Sequence, residues 1–259
     1  MSKKKKKKEA VEVFSPPSDT PTEAIVEAIT QGELDLHGLM PWSSNYTFLC
    51  TLTHNDLCFS AVYKPGQGER PLWDFDSGTL CNREAASYVV SSHIGDWALV
   101  PPTILRDGPH GVGSVQQFIM TDYEVHYFTI QDDPTYQTQF QQLALLDYVI
   151  NNADRKGGHC LLGENDKIWA IDNGLSFHTE YKLRTVIWDY ADQGIPGELY
   201  ADLKAFDADF APGSSCYDQL EALLTPREID YFCQRLKKLL KSGRFPEPYG
   251  MRDYPYPPV

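Results

Sequence analysis

The sequence predicts an α+β fold in two lobes, the first rich in strands and the second mainly helical. Aromatic and β-branched residues dominate YTFLCTL and LCFSAVYKP, which flank a turn-prone His54-Asn55-Asp56 and indicate a hairpin. The same half carries one longer helical pattern, NREAASYVVSSHIG. Past about residue 120, helical spacing prevails and only one further hairpin is indicated. This order is typical of two packed lobes rather than of alternating βαβ units.

The remaining elements of the first lobe are short. TEAIVEAIT has the spacing of an amphipathic helix, and LVPPTIL and SVQQFIM read as strands around a Gly/Pro-rich loop. We therefore expect a disordered basic tail over residues 1–20, a nucleotide-binding N-lobe over 21–118 and a catalytic C-lobe over 119–259.

The second lobe contains two clear helices and the hairpin. TYQTQFQQLALLDYVINN has apolar residues at helical spacing, and LLGENDKIWAIDNG predicts two short strands around a turn. In LTPREIDYFCQRLKKLLKSG, Thr225 is expected to cap a helix, with Pro226 at its first position and Gly243 at its end. The Pro- and Tyr-rich stretch from Phe245 onward is expected to be irregular.

Charge and cysteine usage narrow the class of protein. The 259 residues carry a formal net charge of −13 even though Lys3–Lys8 supply a basic run. A chain with this negative charge repels the phosphates of nucleic acids, and we therefore expect no nucleic-acid partner. The scattered cysteines, with no CxxC pair, indicate reduced thiols and a cytoplasmic location. No signal peptide and no transmembrane segment are expected.

Five residues occur in the same order along the chain as the functional residues of kinases. Lys64 ends an apolar strand and Glu84 lies in the helix that follows, as a phosphate-binding lysine and its partner do. Asp154 opens the polar loop ADRKGGH in an Asp-x-x-x-x-His pattern with His159. Asp172 follows the strand KIWAI and precedes Asn-Gly, as a metal-binding aspartate does. Each residue alone has an ordinary structural explanation, but the set together predicts a kinase.

The stretches that carry this set resemble a known family. DYVINNADRKGGHCLL and IWAIDNGLSF are similar to the catalytic core of phosphatidylinositol 3-/4-kinases, the type II phosphatidylinositol 4-kinases in particular, and to a small bacterial branch of that family. AVYKP resembles their lysine strand, and VPPTIL the strand after the helix of the first lobe. The resemblance covers about residues 35 to 200 and implies a two-lobe, protein-kinase-like fold.

The resemblance also implies roles. Lys64 would hold the phosphates of ATP with Glu84 positioning it, and Asp154 would be the catalytic carboxylate with Arg155 beside it. Asp172 and His159 would hold Mg²⁺ or Mn²⁺. The turn that covers the phosphates would be Pro41-Trp42-Ser43-Ser44-Asn45, with Ser43, Ser44 and Asn45 in contact with the nucleotide. Residues 116–119 would form the hinge that reads adenine, chiefly at Gln117 and Phe118.

The sequence departs from the pattern of this kinase family at three points, and these differences leave more than one function possible. His159 stands where the family has asparagine; it favours Mn²⁺, contacts the phosphate of the substrate, or weakens catalysis. The phosphate turn lacks Gly-x-Gly, and the stretch GLSFHTEYKLRT that follows Asn173 holds only Lys182 and Arg184 as fixed positive charges. The phosphoryl acceptor, whether lipid, protein or small molecule, therefore stays open, as does the oligomeric state. A catalytically inactive nucleotide-binding module, AMP transfer from the same core, and an unrelated acidic hydrolase are the rival interpretations.

Overall fold

The computed structural model of the protein describes residues 12–40 and 45–259. Within these ranges the predicted α+β, two-lobe order is confirmed, because a five-stranded sheet with two helices precedes a mainly helical half. The first lobe contains, in chain order, α1 (Thr22–Gln31), β1 (Glu33–Leu39), β2 (Phe48–His54), β3 (Leu57–Pro65), α2 (Leu80–His93), β4 (Thr103–Gly108) and β5 (Gly111–Gln117).

The sheet of the first lobe is antiparallel throughout, with strand order β1-β2-β3-β5-β4. The predicted hairpin is formed by β2 and β3, whose turn holds Asn55 at a φ of 51°, a left-handed conformation that asparagine tolerates. Helix α1 buries Ile25 and Ile29 in the same apolar cluster as Phe59 and Tyr63 of the central strand β3. Because side chains alternate along a strand, Lys64 projects from the face opposite Tyr63.

The second lobe is built from helices and one small hairpin. Its elements are α3 (Tyr127–Ile130), α4 (Gln137–Ile150), β6 (Cys160–Leu162), β7 (Ile168–Ala170), α5 (Gly197–Asp209), α6 (Ser215–Glu221) and α7 (Pro226–Ser242). The predicted start and end of α7 are confirmed. Thr225 Oγ1 accepts the N–H of Glu228, which in turn caps Thr225, and Gly243 closes the helix at a φ of 62°.

Helix α2 belongs to the first lobe in sequence but packs on the second. Ala86, Val89 and Val90 are part of the large core that α4 and α7 also build. Arg83 donates to Ser176 O at 2.6 Å and forms a buried ion pair with Glu228 of α7. The position of α2, and of any cleft residue on it, therefore depends on the second lobe as well as on β4 and β5 of the first.

The two chain ends are more ordered than the sequence predicted. Residues 12–20 were expected within a disordered tail, but Phe14 exchanges hydrogen bonds with Ser60 of β3, which accepts at 3.1 Å and donates at 2.9 Å. The rest of that tail, residues 1–11, lies outside the described residues. Residues 246–259, here called the C-terminal segment, have only one short helical turn, as expected. They nevertheless pack on the second lobe, where Pro258 O accepts the Gly157 N–H at 2.8 Å.

The six cysteines are free thiols, in agreement with the expected absence of a disulfide framework. None of the helices within residues 12–40 and 45–259 is long and apolar enough to cross a membrane.

Candidate active site

Lys64, Glu84 and Asp172 meet in the cleft between the lobes. Lys64 Nζ lies 2.5 Å from Glu84 Oε1 and 3.0 Å from Asp172 Oδ1. Glu84 is buried, while the Asp172 side chain is 53% exposed and faces the cleft. The second oxygen of Glu84 accepts the Asn173 N–H at 3.0 Å. Glu84 therefore orients both the lysine and the loop that carries Asp172.

The charges of this group stabilise one another. Burial alone would lower the pKa of Lys64, but the carboxylates of Asp172 and Glu84 outweigh burial and raise the pKa above its ordinary value. The Lys64 charge is also the main reason that the pKa of Asp172 falls well below its usual range. Lys64 is therefore a permanent cation and Asp172 a permanent anion at physiological pH.

Asp154 lies in the loop that follows α4. Asn152 Oδ1 accepts the Asp154 N–H at 3.0 Å, which fixes the backbone of the loop. The Asp154 carboxylate is 3.0 Å from Lys156 Nζ, and burial raises the pKa of Asp154. Both side chains line a cavity of about 370 Å³ that Lys64, His159 and Asp172 also line. The structure thus brings the predicted catalytic carboxylate into the same cleft as the predicted phosphate-binding lysine.

The backbone at Asp172 is held in an uncommon conformation. Its φ is 57°, in the left-handed region that non-glycine residues seldom occupy. The loop is held on both sides, since Ile171 N–H donates to His159 O at 3.0 Å and Asn173 N–H to Glu84. Such strain persists only where surrounding contacts over-determine it, and it turns the Asp172 carboxylate toward Lys64.

His159 and Asp172 form a pair suited to a divalent cation. His159 Nδ1 lies 3.0 Å from Asp154 O, and because a carbonyl only accepts, Nδ1 must carry the proton. Burial lowers the pKa of His159 to about 4, so its ring is neutral at physiological pH. The Nε2 lone pair then faces Asp172 Oδ2 at 3.4 Å with no proton between them. A cation ligated by both atoms would relieve this contact.

Apart from His159 and Asp172, few side chains of the described residues are available as ligands for a cation here. Among residues 12–40 and 45–259, no group of three or more His, Cys, Asp or Glu gathers as a metal cage. Two protein ligands suffice where nucleotide phosphates and water complete the shell, as is usual for Mg²⁺. The residues present therefore fit the expected metal, although the imidazole favours Mn²⁺.

Arg155 was expected as a catalytic residue beside Asp154, but its side chain does not line the cleft. Its side chain is fully buried and bonds the carboxylate of the equally buried Asp147, with 3.0 Å separating Arg155 Nε and Asp147 Oδ2. It also donates to Ile171 O at 2.7 Å and to Asn173 Oδ1. Arg155 thus joins the loop of Asp154 to the loop of Asp172 from behind and acts as a positioning residue.

The expected nucleotide contacts divide into three groups. Ser43 and Ser44 lie outside the described residues. Asn45 lines the same cavity as Lys64, and its Oδ1 accepts the Arg70 N–H at 2.9 Å. Gln117 and Phe118 line a second cavity of about 240 Å³ next to Lys64. Their own N–H groups are engaged, however, with Pro102 O at 2.9 Å and Ser60 O at 3.0 Å, so neither N–H can read adenine.

The sequence analysis missed two residues of this site. Lys156 is a cleft cation, and its signal was its place two residues after Asp154, on the same loop. Asp147 is the counter-ion of Arg155, and a carboxylate among apolar residues of α4 was the available signal. An acidic residue that a helix buries requires a partner, and a basic residue on the adjoining loop is the first candidate.

Comparison with known proteins identifies a related protein but assigns no activity. No protein-family profile matches the chain. A crystal structure of the Helicobacter pylori proinflammatory kinase CtkA overlaps with a TM-score of 0.44 and 12% identity, covering 82% of this chain and 97% of that one. An overlap this loose carries no argument about fold or activity. Protein Rv2133c of Mycobacterium tuberculosis is 35% identical over 262 residues, 88% of this chain and 93% of the relative. The chain therefore belongs to the same family as Rv2133c.

Proposed function

We propose that the protein is an ATP- and metal-dependent phosphotransferase with a phosphatidylinositol 3-/4-kinase-like catalytic core. The observation that carries the proposal is the Lys64 ammonium, which lies between Glu84 and Asp172 in the cleft that Asp154 also lines. A kinase needs this lysine–glutamate pair, a metal-binding aspartate and a carboxylate for the attacking hydroxyl in one place. Residues far apart in sequence supply all of them here.

The base of ATP would occupy the cavity of about 240 Å³ beneath the sheet. Val62, Leu161 and Ile171 give this cavity apolar walls, which suit the two faces of a purine. Ile119 at its edge has an N–H that donates to no group among the described residues. We assign the adenine-reading N–H to Ile119, one residue beyond the predicted Phe118.

The triphosphate would lie between Lys64 and the metal pair. Asp172 and neutral His159 would hold the cation, and a bound cation neutralises charge on the phosphates. Lys64 contributes a fixed positive charge that Glu84 keeps in place even without nucleotide. Since this charge is already oriented, it stabilises the transferring group without reorganisation.

Asp154 would receive the acceptor. Its carboxylate orients the hydroxyl of the acceptor, whose oxygen attacks the γ-phosphorus while the bond to the β–γ bridging oxygen breaks and ADP leaves. The hydroxyl proton passes to Asp154 and from there to water. The raised pKa of Asp154 suits a group that must take up and release a proton. Lys156, at 3.0 Å from this carboxylate, adds positive charge where negative charge moves.

Two alternatives share the same nucleotide site. A catalytically inactive nucleotide-binding module is favoured by His159, which replaces a metal-binding oxygen with an imidazole nitrogen. Transfer of AMP rather than phosphate would use the same Lys64 and Asp172 with ATP bound in the opposite direction. Both alternatives predict nucleotide binding, and they differ from the proposal in what becomes of the γ-phosphate.

The discriminating experiment incubates the protein with Mn²⁺ and ATP labelled either on the γ- or on the α-phosphate. We expect label from the γ-position, but not from the α-position, to reach water or protein, and we expect Asp154→Asn to abolish this transfer while it retains ATP binding. Transfer of α-label would establish AMP transfer instead. Tight ATP binding with no transfer of either label would favour the inactive module.

A further inference from the structure

A separate cavity of about 280 Å³ opens beside the catalytic carboxylate. Asp154 and Arg184 line one side, and the C-terminal segment supplies the rest through Arg252, Tyr254, Pro255 and Tyr256. This cavity shares Asp154 with the nucleotide cleft but none of the other residues that line the cleft. It therefore lies where a molecule facing both Asp154 and the phosphates of ATP would be held.

Backbone hydrogen bonds fix Arg184 relative to Asp154. The Arg184 N–H donates to Asn152 O and the Arg184 carbonyl accepts the Arg155 N–H, both at 2.9 Å. These bonds flank Asp154 on both sides in the chain. Arg184 is therefore part of the framework of the catalytic loop, although its own side chain is exposed to solvent.

The C-terminal segment is attached to the same framework. Thr185 N–H donates to Asp253 O at 3.1 Å, and Arg184 Nε donates to Arg252 O at 3.1 Å. Trp188 Nε1 also reaches Asp253 O, at 3.3 Å, and its ring packs against Tyr254. The segment is thus held at the cavity by specific contacts of Arg252, Asp253 and Tyr254.

Both arginines of this cavity lack a counter-ion among the described residues, whereas two other cations of the second lobe each have one. Lys182 pairs with Asp74 at 2.8 Å, and Arg244 pairs with Asp192 at 2.6 Å. Neither Arg184 nor Arg252 has a carboxylate within ion-pair distance among the described residues. In a chain of net charge −13, two unneutralised guanidinium groups beside a catalytic carboxylate indicate a site for an anion.

We propose that Arg184 and Arg252 bind an anionic group of the phosphoryl acceptor, and that the acceptor is a small soluble hydroxyl compound carrying a phosphate. This deepens the proposed function and rests on it for the transfer step. The guanidinium groups hold the phosphate of the acceptor while its hydroxyl oxygen faces Asp154 and attacks the γ-phosphorus of ATP. ADP leaves and the hydroxyl proton passes to Asp154. A free compound is favoured over a lipid headgroup because the acidic body is repelled by anionic membrane surfaces.

The test uses the full chain and measures binding without turnover. Glycerol 3-phosphate is the probe, glycerol is its neutral match, and ligand-observed NMR gives both dissociation constants. We expect glycerol 3-phosphate to bind at least about tenfold more tightly than glycerol. Arg184→Ala and Arg252→Ala should each remove most of this preference and leave the affinity for a non-hydrolysable ATP analogue unchanged. Arg227→Ala, which removes an exposed arginine of α7 outside the cavity, is the matched control and should have no effect.

Each other outcome is informative. Equal affinity for the two probes, or a preference that survives both arginine substitutions, would overturn the assignment of the anion site. Arginine-dependent binding to vesicles containing phosphatidylinositol, without binding of free glycerol 3-phosphate, would overturn the choice of a soluble acceptor. Arginine-dependent binding of the probe in a protein that binds no ATP would support the anion site and contradict the kinase proposal, so the two failures are distinguishable.

Discussion

Glu84 shows how one buried residue organises the cleft. Its two oxygens accept from Lys64 and from the Asn173 amide, so that the lysine and the aspartate loop are set by the same carboxylate. Because Glu84 is buried, neither contact competes with water as it would on the surface. The charge distribution expected for phosphate binding therefore exists without any ligand.

The buried pair of Asp147 and Arg155 supports the two loops that carry Asp154 and Asp172. Asp147→Asn would leave the fully buried Arg155 without its counter-charge. We expect a loss of about 3–5 kcal/mol in the free energy of unfolding, measured by urea denaturation. Asp192→Asn breaks an exposed pair with Arg244 and should cost far less, because solvent screens exposed charges. Equal small losses in both variants would show that Arg155 tolerates its burial alone.

His159 gives a pH dependence whose sign follows from its burial. Burial lowers its pKa to about 4 in the fold, against about 6.5 when unfolded. Between these values the unfolded chain binds more protons, so stability rises with pH and is lost as the pH falls from about 6.5 to about 4. Compared with His159→Asn, the metal-free wild type should lose about 2–3 kcal/mol more between pH 7 and 4.5 in urea unfolding. Parallel pH profiles for the two proteins would contradict the buried neutral histidine.

At the scale of elements, the contact of α2 with α7 decides whether Glu84 reaches Lys64. Arg83 of α2 is buried against Glu228, whose carboxylate also caps α7 at Thr225. Burial would raise the pKa of Glu228, but the Arg83 charge and the hydrogen bonds from Thr225 and Arg83 together outweigh it, and the pKa is lowered. The same carboxylate therefore links helix capping, the packing of the lobes and the geometry of the cleft.

Substitutions of Glu228 and Thr225 separate the effect of the ion pair with Arg83 from the effect of the helix cap. Glu228→Gln keeps an acceptor for the cap but removes the partner charge of Arg83, so we expect a loss of about 3 kcal/mol or more. It should also weaken the affinity for ATP, because α2 carries Glu84. Thr225→Ala removes the helix cap and one hydrogen bond to Glu228 but leaves the ion pair with Arg83, so it should cost about 1 kcal/mol with ATP affinity retained. Calorimetric titration with an ATP analogue and urea unfolding measure both effects. An unchanged ATP affinity in Glu228→Gln would show that α2 is held without α7.

The whole molecule shows what one sequence can and cannot predict. Lys64, Glu84, Asp154 and Asp172 were predictable because each is marked by local context, such as a strand end or a loop after an apolar helix. The buried position of Arg155 was not, since it depends on a carboxylate within α4 that only tertiary packing brings close. The return of the C-terminal segment to the catalytic loop was missed for the same reason, because its hydrogen bonds join residues far apart in sequence.

The central claim at this scale is that the cleft between the lobes binds ATP together with a divalent cation. The most direct test is the thermal stability of the full chain with ATP and Mg²⁺, with ATP and Mn²⁺, and with each metal alone, alongside Lys64→Ala. A ligand at about 100 times its dissociation constant stabilises the folded state by about 2.7 kcal/mol, which raises the melting temperature measurably. We predict a rise that requires both ATP and metal, is larger with Mn²⁺, and is lost in Lys64→Ala. No rise with either metal, or an equal rise in Lys64→Ala, would contradict the account.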